Sequence, residues 1–338
     1  MNYGLIGDCH IGFKAYGSDR RSQETIDVLE QALHLLKDKE LIMFAGDFFD
    51  DTAIPNWIKK QVIALKEKYA SQVWLVLGGN HDSTKTYSSV SALDVFGEVN
   101  NVKVVNSHRL EAVSLCGLEI LCIPHMKSQK EYLEAVESVE GNYDVALLHS
   151  LVNSGLDLGP NDLNLDLYRL SILANKCKAI YIGHQHEPLQ LLPNAWIPGS
   201  IMEFDFGQLG AKYIYDPKPI LLTQPRKMER VELECKIDLS YPLSEDTIYR
   251  IDIKNIPIDD YSNVKSMCDL IEAKFKGDVN FSLYKLGHKE LQVTAIDARF
   301  DLLVEFDNFC VDNKIEVGRK RGILQDAITT VTIEEEEL

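Results

Sequence analysis

Short apolar runs recur along the first part of the chain, and each ends on a polar turn. Tyr3-Gly4-Leu5-Ile6-Gly7 runs into Asp8, and Leu41-Ile42-Met43-Phe44-Ala45 into Gly46-Asp47. Val73-Trp74-Leu75-Val76-Leu77 precedes Gly78-Gly79-Asn80-His81. Val145-Ala146-Leu147-Leu148 precedes His149, and Ala179-Ile180-Tyr181-Ile182 precedes Gly183-His184. Continuous apolar runs of this length predict strands buried on both faces. Val102–Val105, Leu118–Ile123 and Ala195–Pro198 read as further strands, giving a large sheet that is mixed or doubled.

Between the strands the period changes. Residues 22–39 place Ile26, Leu29, Leu33 and Leu36 on one helical face. Residues 55–70 open with Pro55, suited to a first helical turn, and carry Trp57, Ile58, Val62, Leu65 and Tyr69 at helical spacing. Strand alternating with helix predicts a layered α/β core. After about residue 225 the pattern is different. Ile248–Ile253 and Glu290–Ile296 read as strands, and Val264–Phe275 and Phe300–Phe309 as helices. The stretch 215–245, with Pro217, Pro219, Pro225 and Pro242, holds the expected boundary. The expected organisation is therefore a first domain over 1–230 and a smaller α+β domain over 240–330.

A chain of 338 residues with 45% hydrophobic and 26% charged residues is an ordinary globular composition. No apolar run approaches the ~20 residues that span a membrane. The chain enters a strand at once, so no signal peptide is expected. Seven scattered cysteines form no disulfide framework, which together with that points to the cytoplasm. The net charge of −17 counts against a free-standing nucleic-acid-binding module. Basic residues nevertheless cluster at Lys14, Arg20 and Arg21 and at Arg319-Lys320-Arg321, and Arg20 and Arg21 are candidate phosphate contacts. The chain carries no P-loop signature of its own.

The turns after the strands carry the chemistry. Asp8-Cys9-His10, Gly46-Asp47-Phe48-Phe49-Asp50, Gly79-Asn80-His81-Asp82, His149 and Gly183-His184-Gln185-His186 together supply carboxylates, one amide and five imidazoles. Strand carboxyl ends are where layered α/β folds collect ligands, and this donor set suits two divalent metal ions. Taken singly the signals are weak, since Asp-x-His is more often a turn and Gly-Asp at a strand end is common. Gly-Asn-His-Asp and Gly-His-x-His, in order and each after a strand, form the strong part. Alternation turns Cys9 away from the site, so packing is expected for it. Asp82 reads as a structural group, His125 as a polar rim residue, and His34, His108 and His288 as surface or helix residues. Trp57 and the aromatics of 204–215 read as core.

In this order, these motifs resemble those of the calcineurin-like metallophosphoesterases. The loop from His10 through Arg21 and the segment Pro198-Gly199-Ser200-Ile201-Met202-Glu203-Phe204-Asp205-Phe206-Gly207 are similar to the corresponding parts of SbcD/Mre-type DNA exonucleases. Short phage-encoded recombination nuclease subunits are similar in length. The resemblance covers roughly residues 1–210 and implies a layered αββα metallophosphoesterase core with a smaller α+β capping domain. It implies one metal held by Asp8, His10, Asp47 and His186, and a second held by Asp47, Asn80, His149 and His184, with Asp47 bridging. The donors suit two Mn2+, with iron or magnesium as alternatives. His81 is implied as proton or hydrogen-bond donor to the leaving oxygen, with Asp50 orienting it. The implied activity is a two-metal DNA exonuclease, 3′→5′ on duplex ends with single-strand endonuclease activity. The implied partners are DNA, a coiled-coil SbcC/Rad-type ATPase and a second copy of the chain. The competing expectation is a metal-dependent phosphatase or phosphodiesterase acting on nucleotides or phosphoproteins. A third, a non-catalytic scaffold, is disfavoured because no ligand position is substituted.

Overall fold

The computed structural model describes residues 2–14, 19–84, 90–152, 163–235, 242–275 and 278–286. Chain contacts divide it into two compact units, Met1–Leu286 and Gly287–Leu338. The second unit lies outside the described residues, and with it the expected strand 290–296, the expected helix 300–309, His288 and the 319–321 basic cluster.

The first unit is built on two six-stranded sheets. One has the order Lys218–Leu221, Tyr213–Asp216, Tyr3–Ile6, Leu41–Phe44, Val73–Leu77, Val102–Val105. The other has the order Leu189–Leu192, Ala195–Ile197, Cys177–Gly183, Tyr143–His149, Leu118–Ile123, Glu111–Leu115. The central strands of each sheet run parallel. The expected large sheet is thus doubled.

The apolar runs explain the layering. Side chains alternate across a strand, and the central strands, buried along nearly their whole length, need two apolar faces. Leu5, Leu41, Met43, Leu75 and Leu77 meet Ile120, Cys122, Val145, Leu147 and Tyr181 in a core between the sheets. Their neighbours Ile6, Ile42, Phe44, Trp74 and Val76 turn outward beneath helices. Leu121, Ile123, Ala146, Leu148, Ile180 and Ile182 do the same on the other side. Helices Asp19–Leu35, Asn56–Lys68 and Ala92–Phe96 cover the first outer face, and Gln129–Glu137 and Leu167–Ala174 the second. The result is a layered αββα architecture. Among the described residues, no helix is long and apolar enough to cross a membrane.

Several elements depart from the sequence reading. The first long helix spans Asp19–Leu35 rather than 22–39, stopping short of the polar Lys37-Asp38-Lys39 turn. The second spans Asn56–Lys68, with Pro55 capping it from outside rather than opening its first turn. Trp57 is not core: it is 38% exposed, while Ile58, one step round the helix, is buried with Val62 and Leu65. The three shorter helices had no long periodic signal. Ala92–Phe96 is set by a capping box in which Ser91 accepts from the Asp94 N–H and the Asp94 side chain accepts from Ser91.

Residues 227–286 add a small parallel sheet of Lys227–Glu234, Thr247–Ile256 and Val279–Lys285, backed by the helix Tyr261–Phe275. It has its own core of Ile251, Ile253, Ile256, Val264, Cys268 and Ile271. The first and last of these strands escaped the sequence reading; in Lys227–Glu234 five of the eight residues are charged. This sheet is tied to the main core by ions: Arg226 pairs with Glu24 and Asp278.

Candidate metal centre

All five motif turns meet where the two sheets face each other. Backbone hydrogen bonds clamp the strand ends together across the layers. The His184 N–H donates to the Asp8 carboxylate (3.0 Å to Oδ1), and the His125 N–H donates to Gly78 O (2.9 Å). Pro198-Gly199-Ser200 runs beside the first turn: the Asp8 N–H donates to Gly199 O and the Ile201 N–H to Asp8 O. The packing here leaves no room for side chains at the glycines. A Cβ on Gly46, whose φ is +106°, would lie 2.1 Å from His149 Nδ1, and one on Gly79 would lie 2.0 Å from Asp47 Oδ1. His10, Asp47 and His184 hold left-handed backbone at φ 43°, 44° and 94°. Such conformations cost of order 1–3 kcal/mol each and persist where surroundings over-determine them.

Asp47 is the hub. It is buried, and its donor atoms lie within 4.8 Å of His10 and His81 in one group and of His149 and His184 in another. The tautomers decide what these groups can bind. His149 Nδ1–H donates to the carbonyl of Ala45 (3.0 Å), so the neutral ring keeps a lone pair on Nε2. That lone pair faces Asn80 Oδ1 at 3.0 Å and Asp47 Oδ2 at 3.3 Å. His184 Nδ1 reaches the same Asn80 Oδ1 at 2.9 Å. On the other side, His10 Nδ1–H donates to the Asp50 carboxylate (3.0 Å) and His186 Nδ1–H to Gln208 Oε1 (2.7 Å). Their Nε2 atoms then face each other at 3.0 Å. Lone pairs converging on lone pairs in a buried site require positive charge among them. A carboxylate, an amide oxygen and several imidazoles are donors that fit divalent first-row metals.

The electrostatics give the same demand. Burial pushes the Asp8 carboxyl up to about 7. Burial also works against ionised Asp47, but the neighbouring His149 and His10 outweigh it and hold Asp47 well below the usual carboxylate range. For His149, burial is outweighed by Asp47 and Asp8, and its pKa rises to about 9. His186 moves the other way, to about 4, through burial and the adjacent His10.

Asp8, His10, Asp47, Asn80, His149, His184 and His186 therefore all lie in one cluster. Asp50 lies at its edge, with a difference from expectation. Its carboxylate is 3.0 Å from His10 Nδ1 and 3.8 Å from His81 Nδ1. It is the Asp50 carbonyl that accepts from His81 Nδ1–H, at 2.7 Å. His81 is the exposed member, its side chain 42% accessible, with its ring 4.6 Å from that of His10.

Asp82 is fully buried and accepts from the amides of Phe48, Phe49 and Gly79, tying two of the turns together. Cys9 is buried in the outer core. His34 is exposed, while His108 and His125 line a cavity beside the site. Phe204 packs edge-on against both His10 and His186. Phe204 is buried, as read from the sequence, but its place against the two rings was not foreseen. Gln208 and Lys212, whose Nζ donates to His186 O (3.0 Å), were missed in the sequence because nothing local marks them. The expectation that Arg21 faces phosphates is corrected. It is buried, pairs with Glu24 and donates to the carbonyl of Glu203. Arg20 stays half-exposed beside Glu24 and Asp278.

Comparison with known proteins agrees with this geometry. Over 154 residues the chain is 25% identical to the DNA double-strand break repair protein Mre11 of Sulfurisphaera tokodaii, covering 43% of this chain and 39% of that protein. The chain thus spans well under half the length of that relative. The model of the calcineurin-like phosphoesterase family matches residues 1–188, more than half of the chain and every motif turn described above. The chain belongs to the calcineurin-like phosphoesterase family.

Proposed function

We propose that this chain is the nuclease subunit of a DNA break-repair complex, hydrolysing phosphodiesters with two metal ions. The observation that carries the reading is the position of Asp47, shared by two donor groups in one buried cluster with exposed His81 beside it. The similarity to a DNA double-strand break repair protein favours DNA over other phosphoesters.

Asp8, His10, Asp47 and His186 are assigned to one ion, and Asp47, Asn80, His149 and His184 to the other. Two divalent cations there, manganese by donor type with iron or magnesium as alternatives, would neutralise phosphoryl oxygens and make water a stronger nucleophile. The chain's own groups do the rest. Ala45 O and the Asp50 carboxylate fix the ring tautomers of His149 and His10. Asp50 O holds Nδ1–H of His81, so a protonated His81 carries its second proton on Nε2, the atom that gives it to the leaving oxygen. Phe204 shields the His10–His186 pair from water.

The full reading is a 3′→5′ exonuclease on duplex ends with single-strand endonuclease activity. It works as a homodimer with a coiled-coil ATPase of SbcC/Rad type, in the cytoplasm. With its charge of −17 the chain alone repels phosphates at long range, and the ATPase would supply the basic surface. The test is purified chain with manganese on end-labelled duplex and single-stranded DNA, on bis(p-nitrophenyl) phosphate and on phosphopeptides. Release of 5′-mononucleotides from 3′ ends is expected, and faster release with the ATPase. Hydrolysis of monoesters with no cut in any DNA would favour the phosphatase alternative.

A further inference from the structure

A cavity of about 340 Å³ adjoins the metal centre, lined by Asn80, Ser83, His108, His125, Met126 and Lys127 among others. It starts at Asn80, whose Oδ1 lies between His149 and His184, so whatever fills it lies beside the reacting phosphate. The hydrolytic roles proposed above use none of the other five residues.

The cavity is built rather than incidental. The His125 N–H donates to Gly78 O, fixing the end of the Leu118–Ile123 strand against the end of the Val73–Leu77 strand. His125 is 9% exposed as a residue, and its ring lies edge-on to that of His149, with centroids 6.5 Å apart. His108 is held in left-handed backbone at φ 52°, and its Nδ1–H donates to His125 O at 3.0 Å. That bond leaves Nε2 of neutral His108 as an acceptor. The Ser83 hydroxyl donates to Gly79 O, and buried Met126 adds a thioether.

The lining selects one class of ligand. A phosphate pocket would be built from guanidinium groups, lysines or convergent backbone amides. Here Lys127 is the sole formally charged group among the six. The rest are flat imidazoles, a polarisable thioether, a hydroxyl and an amide. Such surfaces stack and hydrogen-bond an unpaired nucleobase with little sequence preference. The volume falls at the small end of ligand pockets, about 300–1,000 Å³, which suits one nucleoside and excludes a duplex. We propose that this cavity receives the base of the nucleotide flanking the scissile phosphate, and that His108, His125 and Met126 form its wall. The proposal rests on the nuclease reading. It implies that the strand is cut with that base unstacked and unpaired, which is cheapest at frayed ends and in single strands.

The experiment uses full-length chain with manganese and single-stranded oligonucleotides that have one cleavable linkage, the others being methylphosphonates. The nucleotide on either side of that linkage is intact or abasic. The wild type should lose roughly 5- to 150-fold in kcat/KM when one of the two flanking bases is removed, the range for one base stacked on aromatic groups. His108→Asn, which tolerates left-handed backbone, and His125→Ala should both be slow on the intact oligonucleotide. Both should be near normal on bis(p-nitrophenyl) phosphate, with unchanged metal content and less than about twofold response to the missing base. A wild type indifferent to both abasic substitutions overturns the pocket, as does a His108→Asn variant that still feels the missing base in full. Should His125→Ala lose metal, His108→Asn alone decides. A wild type that hydrolyses the small diester but no oligonucleotide overturns the nuclease reading, and the pocket with it.

Discussion

His10 and His186 bring their Nε2 atoms to 3.0 Å, each ring turned there by an acceptor on its Nδ1, Asp50 for one and Gln208 for the other. Two such lone pairs repel unless a cation or proton lies between them. The same holds where His149 Nε2 meets Asn80 Oδ1 and Asp47 Oδ2. Positive charge is thus a structural requirement of the folded site, and Asp47 is the group common to both halves.

Asp47→Ala should therefore empty both metal positions at once. Manganese titration followed by calorimetry is expected to show two ions per wild-type chain and none bound tightly by the variant. Retention of both ions at wild-type affinity would sink the shared-ligand assignment. Chelation should abolish activity, and manganese should restore it better than magnesium, which prefers oxygen donors and keeps its waters.

The Asp50 carboxylate holds His10 rather than His81, which changes what its loss should do. Asp50→Ala is expected to weaken metal binding by about 10- to 100-fold, the usual effect of removing a carboxylate behind a ligating imidazole. Excess manganese should then recover most of the turnover. A variant with unaltered affinity but low kcat at saturating metal would place Asp50 in proton transfer with His81 instead.

His81 is the accessible imidazole of the cluster, anchored through Nδ1–H on a carbonyl. His81→Ala should keep two metals and lower turnover by roughly 10²–10⁴-fold, the range for a lost general acid. A substrate with a good leaving group, such as the p-nitrophenyl diester, should lose far less than DNA. Loss of one ion from the variant would make His81 a ligand of the group it shares with His10 and Asp47.

The ligand turns were legible in the sequence because their demands are local. Donors that must converge need short turns at strand ends, and close approach needs glycine, so Gly46 precedes Asp47 and Gly79 precedes Asn80-His81. What orients the donors was not legible. Ala45 O on His149, the Asp50 carboxylate on His10 and Gln208 on His186 are pairings across 104, 40 and 22 residues. No periodicity or motif encodes them. Arg21 and Trp57 failed for a related reason. Residue type suggested a surface arginine and a core tryptophan, but the helix face each occupies is set by tertiary packing.

Arg21 gives a direct test of that correction. Its guanidinium is buried between Glu24 and the Glu203 carbonyl. Arg21→Ala should destabilise the fold by about 3–5 kcal/mol, the cost of breaking a buried pair from one side. The salt dependence of DNA binding should not change. A slope shallower by about 0.9 in log K against log salt would mean that one phosphate contact had been lost.

Asp252 holds the small sheet by charge. Its carboxylate is fully buried in the central strand Thr247–Ile256. It accepts from Arg230 Nε–H at 2.7 Å, pairs with Arg230 Nη2 at 2.7 Å, and lies 3.5 Å from Arg250. Burial works against its ionised form, but Arg230 outweighs it and the pKa falls below the ordinary value. The unfolded chain therefore binds this proton more readily than the folded one. The stabilisation is complete above the unfolded carboxylate value, about 3.9, and is lost as pH drops through the lower folded value. Asp252→Asn should cost about 1.5–3 kcal/mol at pH 7, as for hydrogen bonds to a charged group. The difference from wild type should shrink steadily below about pH 4. Urea unfolding followed at pH 7, 5 and 3 by the fluorescence of a tryptophan placed at Phe281, in the partner strand, measures it. A gap between the two proteins that stays constant down to pH 3 would remove the ion pair from the stability of this sheet.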